Sequence, residues 1–270
     1  MGLFKKKDPC AICGGKVSGL FPSKIDGQYV CSDCYGFVDL PSTKPTATMT
    51  IEDFRGYMQF REENALLKEQ FQTSQQIDFG LWDTKFMFDM TNHLLCMDKH
   101  LGKTIFEGRH IKSFVIKEDS IPLYEGSASG LNHYISTVPD RAMDLAPQIA
   151  RLAMQAQMRR DMERMRELMN NDNNNHYTPH IDIPEPFKNF NVEILFEHPY
   201  WDVFKADMSG PTFDDERPDL NDYLQSYEEK AKVMDELAHA LMNLAFPGAP
   251  EQGIITEEEF AAKKRQLLGI

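Results

Sequence analysis

The sequence lacks any unbroken apolar run long enough to cross a bilayer, although 41% of its 270 residues are hydrophobic. Its first residues lack the apolar stretch of a secretory signal. Gly2 is followed at position 6 by Lys, where the myristoylation pattern requires Ser or Thr. These absences lead us to expect a soluble, cytoplasmic chain. Positive charge is also scarce: 29 Lys and Arg face 42 Asp and Glu, a net −13. That field repels phosphate and argues against nucleic acid as the main partner. Residues 1–50 are the exception, with six Lys against four Asp, a balance of +2 that leaves −15 for the remainder. Catalytic signatures are missing as well. The chain has no G-x-S-x-G, no Walker loop and no dinucleotide fingerprint. Its eight histidines do not assemble. His176 and His180 lie four apart, but in an Asn-rich, Pro-flanked stretch that denies them a shared helix face, and His93, His100 and His110 fall at expected strand ends and turns. We therefore do not expect an enzyme.

Cysteine is sparse, yet four of the five are arranged with purpose. Cys10 and Cys13 form one C-x2-C pair, Cys31 and Cys34 a second, and 17 residues separate the pairs. Each pair sets two thiolates on a tight knuckle, and two knuckles complete a closed tetrahedral site for a structural Zn²⁺. Four thiolates leave no open position for catalysis, so the ion's binding energy goes into folding some forty residues too few to make a core. Gly14-Gly15 supplies backbone freedom beside the first knuckle. Redox pairing and disulfides are the rival readings; without a secretion signal disulfides are not expected, and a redox C-x2-C would not need a second copy. Cys96 stands apart in an apolar, strand-like run and reads as a buried thiol.

The chain divides into four parts. Residues 1–40 hold the zinc-binding module, and 41–77 a Pro-containing linker and a helix that Thr50 caps with Asp53. Residues 78–246 form a β-rich domain, and 247–270 a linker and short tail helix. The β-rich part shows about seven short strands, among them Lys85–Met90, Leu94–Asp98, Thr104–Glu107, Ile111–Ile116, Val192–Phe196 and Trp201–Ala206. A helical and Asn-rich insertion, residues 139–186, interrupts it, with a kink or late start at Pro147. A long amphipathic helix, Leu220 to Leu244, capped by Asp219, closes it. The expected class is α+β: an N-terminal zinc ribbon or treble-clef-like module, a central β barrel or sandwich with a helical insertion and a closing C-terminal helix, and a tail helix.

Two stretches look built for contact. Met158, Met162, Met165 and Met169 repeat at i, i+4, i+7 and i+11, flanked by arginines. Methionine suits adaptable binding faces. Packing on the chain's own sheet or on a symmetry mate is the alternative. In the tail, Thr256 and Glu259 form a capping box, Ile255 and Phe260 a hydrophobic staple, and Phe260, Leu267 and Leu268 one apolar face. So short a helix is marginal alone and should dock.

The string Gly253-Ile254-Ile255-Thr256, Glu258-Glu259-Phe260, Lys263-Lys264 and Leu267-Leu268 resembles the SHOCT tail of bacterial and phage proteins. Cys10-Ala11-Ile12-Cys13-Gly14 and Cys31-Ser32-Asp33-Cys34 resemble an N-terminal zinc-ribbon-like family of unknown function. Strand count and the closing helix make the middle similar to a bacterial pleckstrin-homology-like (PH-like) domain. Together these resemblances imply oligomerisation or partner binding. Two functions fit: a cytoplasmic adaptor or scaffold that binds a protein partner through the β domain and assembles through its tail, or a nucleic-acid-binding or membrane-surface regulatory protein using the zinc module and Lys5–Lys7.

Overall fold

The computed structural model describes residues 8–18, 21–36, 38–41, 43–80, 84–99, 104–169 and 183–255. The cysteine module opens the chain. Strands β1 (Ser23–Ile25) and β2 (Gln28–Val30) form an antiparallel hairpin, and α1 (Ser32–Tyr35) follows directly. Asp26 and Gly27 turn the hairpin at φ 50° and 74°, the double left-handed conformation for which Asp-Gly is favoured. Helix α2 (Ile51–Gln70) starts where the sequence signals. Asp53 N–H donates to Thr50 Oγ1 at 3.1 Å, and Thr50 N–H donates to the Asp53 carboxylate at 2.9 Å.

Two sheets follow. The first is antiparallel, in the order β3 (Gln75–Phe79), β4 (Thr84–Asp89), β5 (Leu94–Lys99), β6 (Ile105–Glu107). The second contains β7 (Ile111–Glu118), β8 (Ile121–Ser127), β9 (Gly130–Tyr134), β10 (Asn189–Phe196), β11 (Val203–Ser209) and β12 (Glu251–Ile255), in the order β11-β10-β7-β8-β9-β12. Among the described residues the sheets share no ladder, so the closed-barrel alternative is corrected: the sheets pack together and do not close. Ile77, Phe79, Phe86 and Phe88 from the first and Phe114, Ile116, Val192 and Ile194 from the second enter one core. Nine strands, β3 to β11, stand among the described residues against about seven expected; β3 is the unexpected one, its polar start at Gln75-Gln76 disguising the alternation that buries Ile77 and Phe79.

Helix α3 (Val138–Asp144) and helix α4 (Ala146–Met169) leave the second sheet after β9, broken at Leu145 just before Pro147. The chain returns at β10, which pairs with both β7 and β11. Asp119, at φ 52° in the β7–β8 turn, holds that return. Its carboxylate accepts from Lys188 N–H and Asn189 N–H, each at 3.0 Å. Helix α5 (Leu220–Ala245) then covers the sheets with Tyr223, Met234, Leu237 and Leu241 fully buried. It is tied down through a buried carboxylate: Glu118 accepts from Tyr227 Oη at 2.6 Å and Ser136 Oγ at 2.7 Å. Burial pushes the Glu118 pKa up, against those two hydroxyl donors and the charge of Arg141.

The C-terminal linker expectation needs a correction. Residues 251–255 form β12, which joins β9 in parallel with Ile254 opposite His133 and Ile255 opposite Tyr134. The Ile254-Ile255 pair that reads as the approach to a helix is equally good β-branched strand material.

Candidate metal centre

The site is assembled from three short devices. At the first knuckle, Cys10 N–H donates to Gly15 O at 2.9 Å and Gly14 N–H to Cys10 O at 2.8 Å, with Gly14 at φ +69°. The β1–β2 hairpin then brings the chain back, and Ala11 N–H donates to Tyr29 O at 2.9 Å. At the second knuckle, Cys31 caps α1, its sulfur accepting from Cys34 N–H at 3.5 Å. Thus Cys10, Cys13, Cys31 and Cys34 meet as expected, their sulfurs all within 4.8 Å of one another. Cys13 Sγ and Cys31 Sγ are 3.7 Å apart. A tetrahedron with metal–sulfur bonds of about 2.3 Å has edges of about 3.8 Å, so this spacing suits a shared ion.

The electrostatics agree. Burial raises the Cys10 thiol, but N–H groups of Cys13, Cys31 and Ile12 outweigh it and bring the pKa to about 6. Cys34 is pushed far up, by burial first and then by the neighbouring sulfurs, the Cys10 charge included. Four thiolates this close need a cation to coexist. Further N–H groups point at sulfur, Cys31 N–H to Cys10 Sγ at 3.3 Å and Gly15 N–H to Cys13 Sγ at 3.4 Å. Such donors orient the ligands and spread their charge. The four residues can hold a metal ion, and with every position filled by sulfur it would serve the fold.

The module is not a free appendage. Cys10, Val17, Ile25, Val30, Cys31 and Cys34 share a core with Phe54 and Tyr57 of α2. Helix α2 is in turn bolted to the first sheet. Asn64 Nδ2 donates to Ile105 O at 2.6 Å, and Ile105 N–H to Asn64 Oδ1 at 3.0 Å. Arg61 donates to Thr104 Oγ1 at 2.8 Å, and Thr104 to the Asp39 carboxylate at 2.8 Å. On the other side the β10–β11 turn supplies Tyr200, edge-on to Tyr57 at 5.2 Å, and His198, edge-on to Phe60 at 5.0 Å. Sequence reasoning missed this joint, although Phe54, Tyr57, Arg61 and Asn64 follow helical steps of three and four that mark one face.

The remaining predicted residues lie elsewhere. Met158, Met162 and Met165 sit on α4 and are 49%, 61% and 64% exposed, so the reading that packs them on the chain's own sheet is corrected. Met169 ends that helix. Phe260, Leu267 and Leu268 of the tail, and Lys5–Lys7, lie outside the described residues. Cys96 is buried in β5, as expected. No helix among the described residues is long and apolar enough to cross a membrane.

Known proteins add one family. No curated protein and no solved structure matches this chain. Residues 9–57 match the family described as a domain of unknown function (DUF4428), a stretch that holds the four clustered cysteines and runs to Tyr57, so it coincides with the cysteine module and the first turns of α2, whose Phe54 and Tyr57 complete its core.

Proposed function

We propose that the chain is a non-enzymatic cytoplasmic adaptor or scaffold with a structural zinc ion on Cys10, Cys13, Cys31 and Cys34. In this reading the metal fixes a zinc-ribbon-like module against a PH-like domain, which presents the outer face of its second sheet to a protein partner. The SHOCT-like tail serves assembly. The observation that carries the reading is the joint at α2, which places the metal's folding energy behind one fixed geometry between two bodies. All-sulfur coordination closes the ion to substrate. A four-stranded antiparallel sheet, the β7-β8-β9 meander within the second sheet and the covering helix α5 support the PH-like reading.

The outer sheet face has the anatomy of an interface, an apolar centre with a charged rim. Leu195 is 45% exposed there and shares a depression of about 260 Å³ with Val115, Glu125 and Asn132. Beside it Glu193 pairs with Lys117 at 3.1 Å and Lys205 at 3.5 Å. The test uses the full chain as bait in its host extract. The retained protein is then purified and rebound to the parent and to Leu195→Glu. We expect the substitution to abolish the complex while zinc content and melting temperature stay unchanged. Equal binding by both proteins would sink the partner face. Elemental analysis should find about one zinc per chain, and a different metal or none would sink the zinc assignment.

A further inference from the structure

Helix α4 carries a pattern that its own fold does not consume. The residues it turns to the body, Ile149, Leu152, Ala156, Arg160 and Glu163, recur at steps of three and four, with Ile149 and Ala156 3% and 0% exposed. Arg160 donates to the Glu216 carbonyl on the same side. At about 100° per residue, Met154, Met158, Met162 and Met165 fall within about 60° of the direction opposite Ala156. They are between 49% and 64% exposed. The stripe thus points straight away from the body.

Its spacing is more specific than amphipathicity. Met158, Met162, Met165 and Met169 follow steps of four, three and four, the d-a-d-a order of a heptad seam. That register puts Arg159 and Arg166 at e, and Met154, Asp161 and Leu168 at g. In a parallel pair of identical helices each g position faces the e position five residues further on in the other helix. Asp161 then meets Arg166, and by symmetry the contact forms twice. Met154 lies beside the aliphatic stem of Arg159, an apolar contact of the kind long side chains make. An antiparallel pair would instead set Arg159 against Arg166. The rim is self-complementary in one orientation only, which identifies the occupant as a second copy of this chain.

We propose that the methionine seam of α4, exposed at Met158, Met162 and Met165, joins two copies of this chain in a parallel two-helix coiled coil, with Asp161 of each copy paired to Arg166 of the other. The two bodies lie on opposite sides of the paired helices, since the seam is diametrically opposite each helix's contact with its own body. Three turns of methionine make a weak, reversible dimer, not an obligate one. The inference rests on the assembly part of the adaptor reading and is independent of the sheet face that would bind a partner.

Sedimentation velocity of the full zinc-loaded chain over a concentration series tests it. The parent should shift reversibly from monomer to dimer mass. Met162→Glu should stay monomeric with an unchanged melting temperature, because Glu favours helix and gains Arg166 four residues on. Asp161→Arg should weaken association by about tenfold or more, two attractions becoming two repulsions. The double variant Asp161→Arg, Arg166→Asp should recover most of that loss. Positions 161 and 166 are five apart, too far round one helix to pair within it, so recovery reports contact between copies. A parent that is monomeric at every concentration overturns the proposal, and so does a swap that fails to recover. A dimer that survives Met162→Glu and dissociates on Phe260→Asp would assign self-association to the tail and also overturn it. In none of these cases would the Leu195 experiment change.

Discussion

Asn64 shows how one residue joins two bodies. It lies on a helix, yet its amide does what a neighbouring strand would do, giving and taking one hydrogen bond with the backbone of Ile105 on the edge strand β6. The residue is 4% exposed, so neither group has water as an alternative. Asn64→Leu keeps the volume and removes both partners. It should cost about 2–6 kcal/mol, because two buried backbone groups are left unpaired at about 1–3 kcal/mol each. Urea unfolding should show a lower midpoint at unchanged slope. A midpoint within error of the parent would show that the joint tolerates an apolar contact. The signal lies in the sequence, an Asn in register with Phe54 and Tyr57, whereas the apolar Leu66 two residues on is 60% exposed.

Among the elements, the β10–β11 turn carries the main pH dependence of the joint. Burial holds the His198 pKa down at about 4, helped by the charges of His110 and Lys44 and opposed by Glu107. Its Nδ1 accepts Tyr200 N–H at 3.2 Å, which requires the neutral ring. His110, whose ring centre is 5.2 Å away, is also lowered, by burial first. An unfolded histidine titrates near 6.5. Between about pH 6.5 and 4 the unfolded chain therefore binds more protons, and stability is lost as pH falls through that window. His198 alone accounts for up to about 3 kcal/mol, less after solvent screening. His198→Phe keeps the ring contacts with Phe60 and Phe106 and should flatten the fall in melting temperature between pH 6.5 and 4. A parallel pH profile for both proteins would place the acid sensitivity elsewhere. How much of this scale was legible depends on locality. Strands β4, β5 and β7, the caps at Thr50 and Asp219, and the break before Pro147 are written in adjacent residues and were read from them. The division into two sheets was not, because β10 finds β7 across the whole insertion, and alternation along a strand does not say which strand it pairs with. The strand β12 was hidden for a related reason: its neighbour β9 lies over a hundred residues earlier, while the local pattern suggests the approach to a helix.

At the scale of the molecule, the cysteine cluster and the α2 joint make opposite predictions for what survives loss of the metal. Among its described residues the module has one ladder, of two three-residue strands, and one helical turn, too little to fold unaided. Structural zinc supplies on the order of 10 kcal/mol to such modules. Cys31→Ser removes one ligand and the sulfur that caps α1, so the module should lose its protection from hydrogen exchange from Cys10 to Gly36. Helix α2 is held differently. Its first half packs on the module, through Phe54 and Tyr57, whereas Arg61 and Asn64 bind Thr104 and Ile105 of the β-rich body. Loss of the ion should therefore fray α2 from its N-terminus while the turn around Asn64 and the two sheets keep their protection. Hydrogen exchange measured on the parent, on Cys31→Ser and on the chelated parent would map that boundary residue by residue. If all of α2 loses protection with the module, the helix belongs to the metal domain throughout. If residues 10–36 stay protected, the cysteines do not need an ion to fold. A boundary within α2 and beyond Tyr57 is the result expected if, as proposed, a metal on the four cysteines positions one body against another.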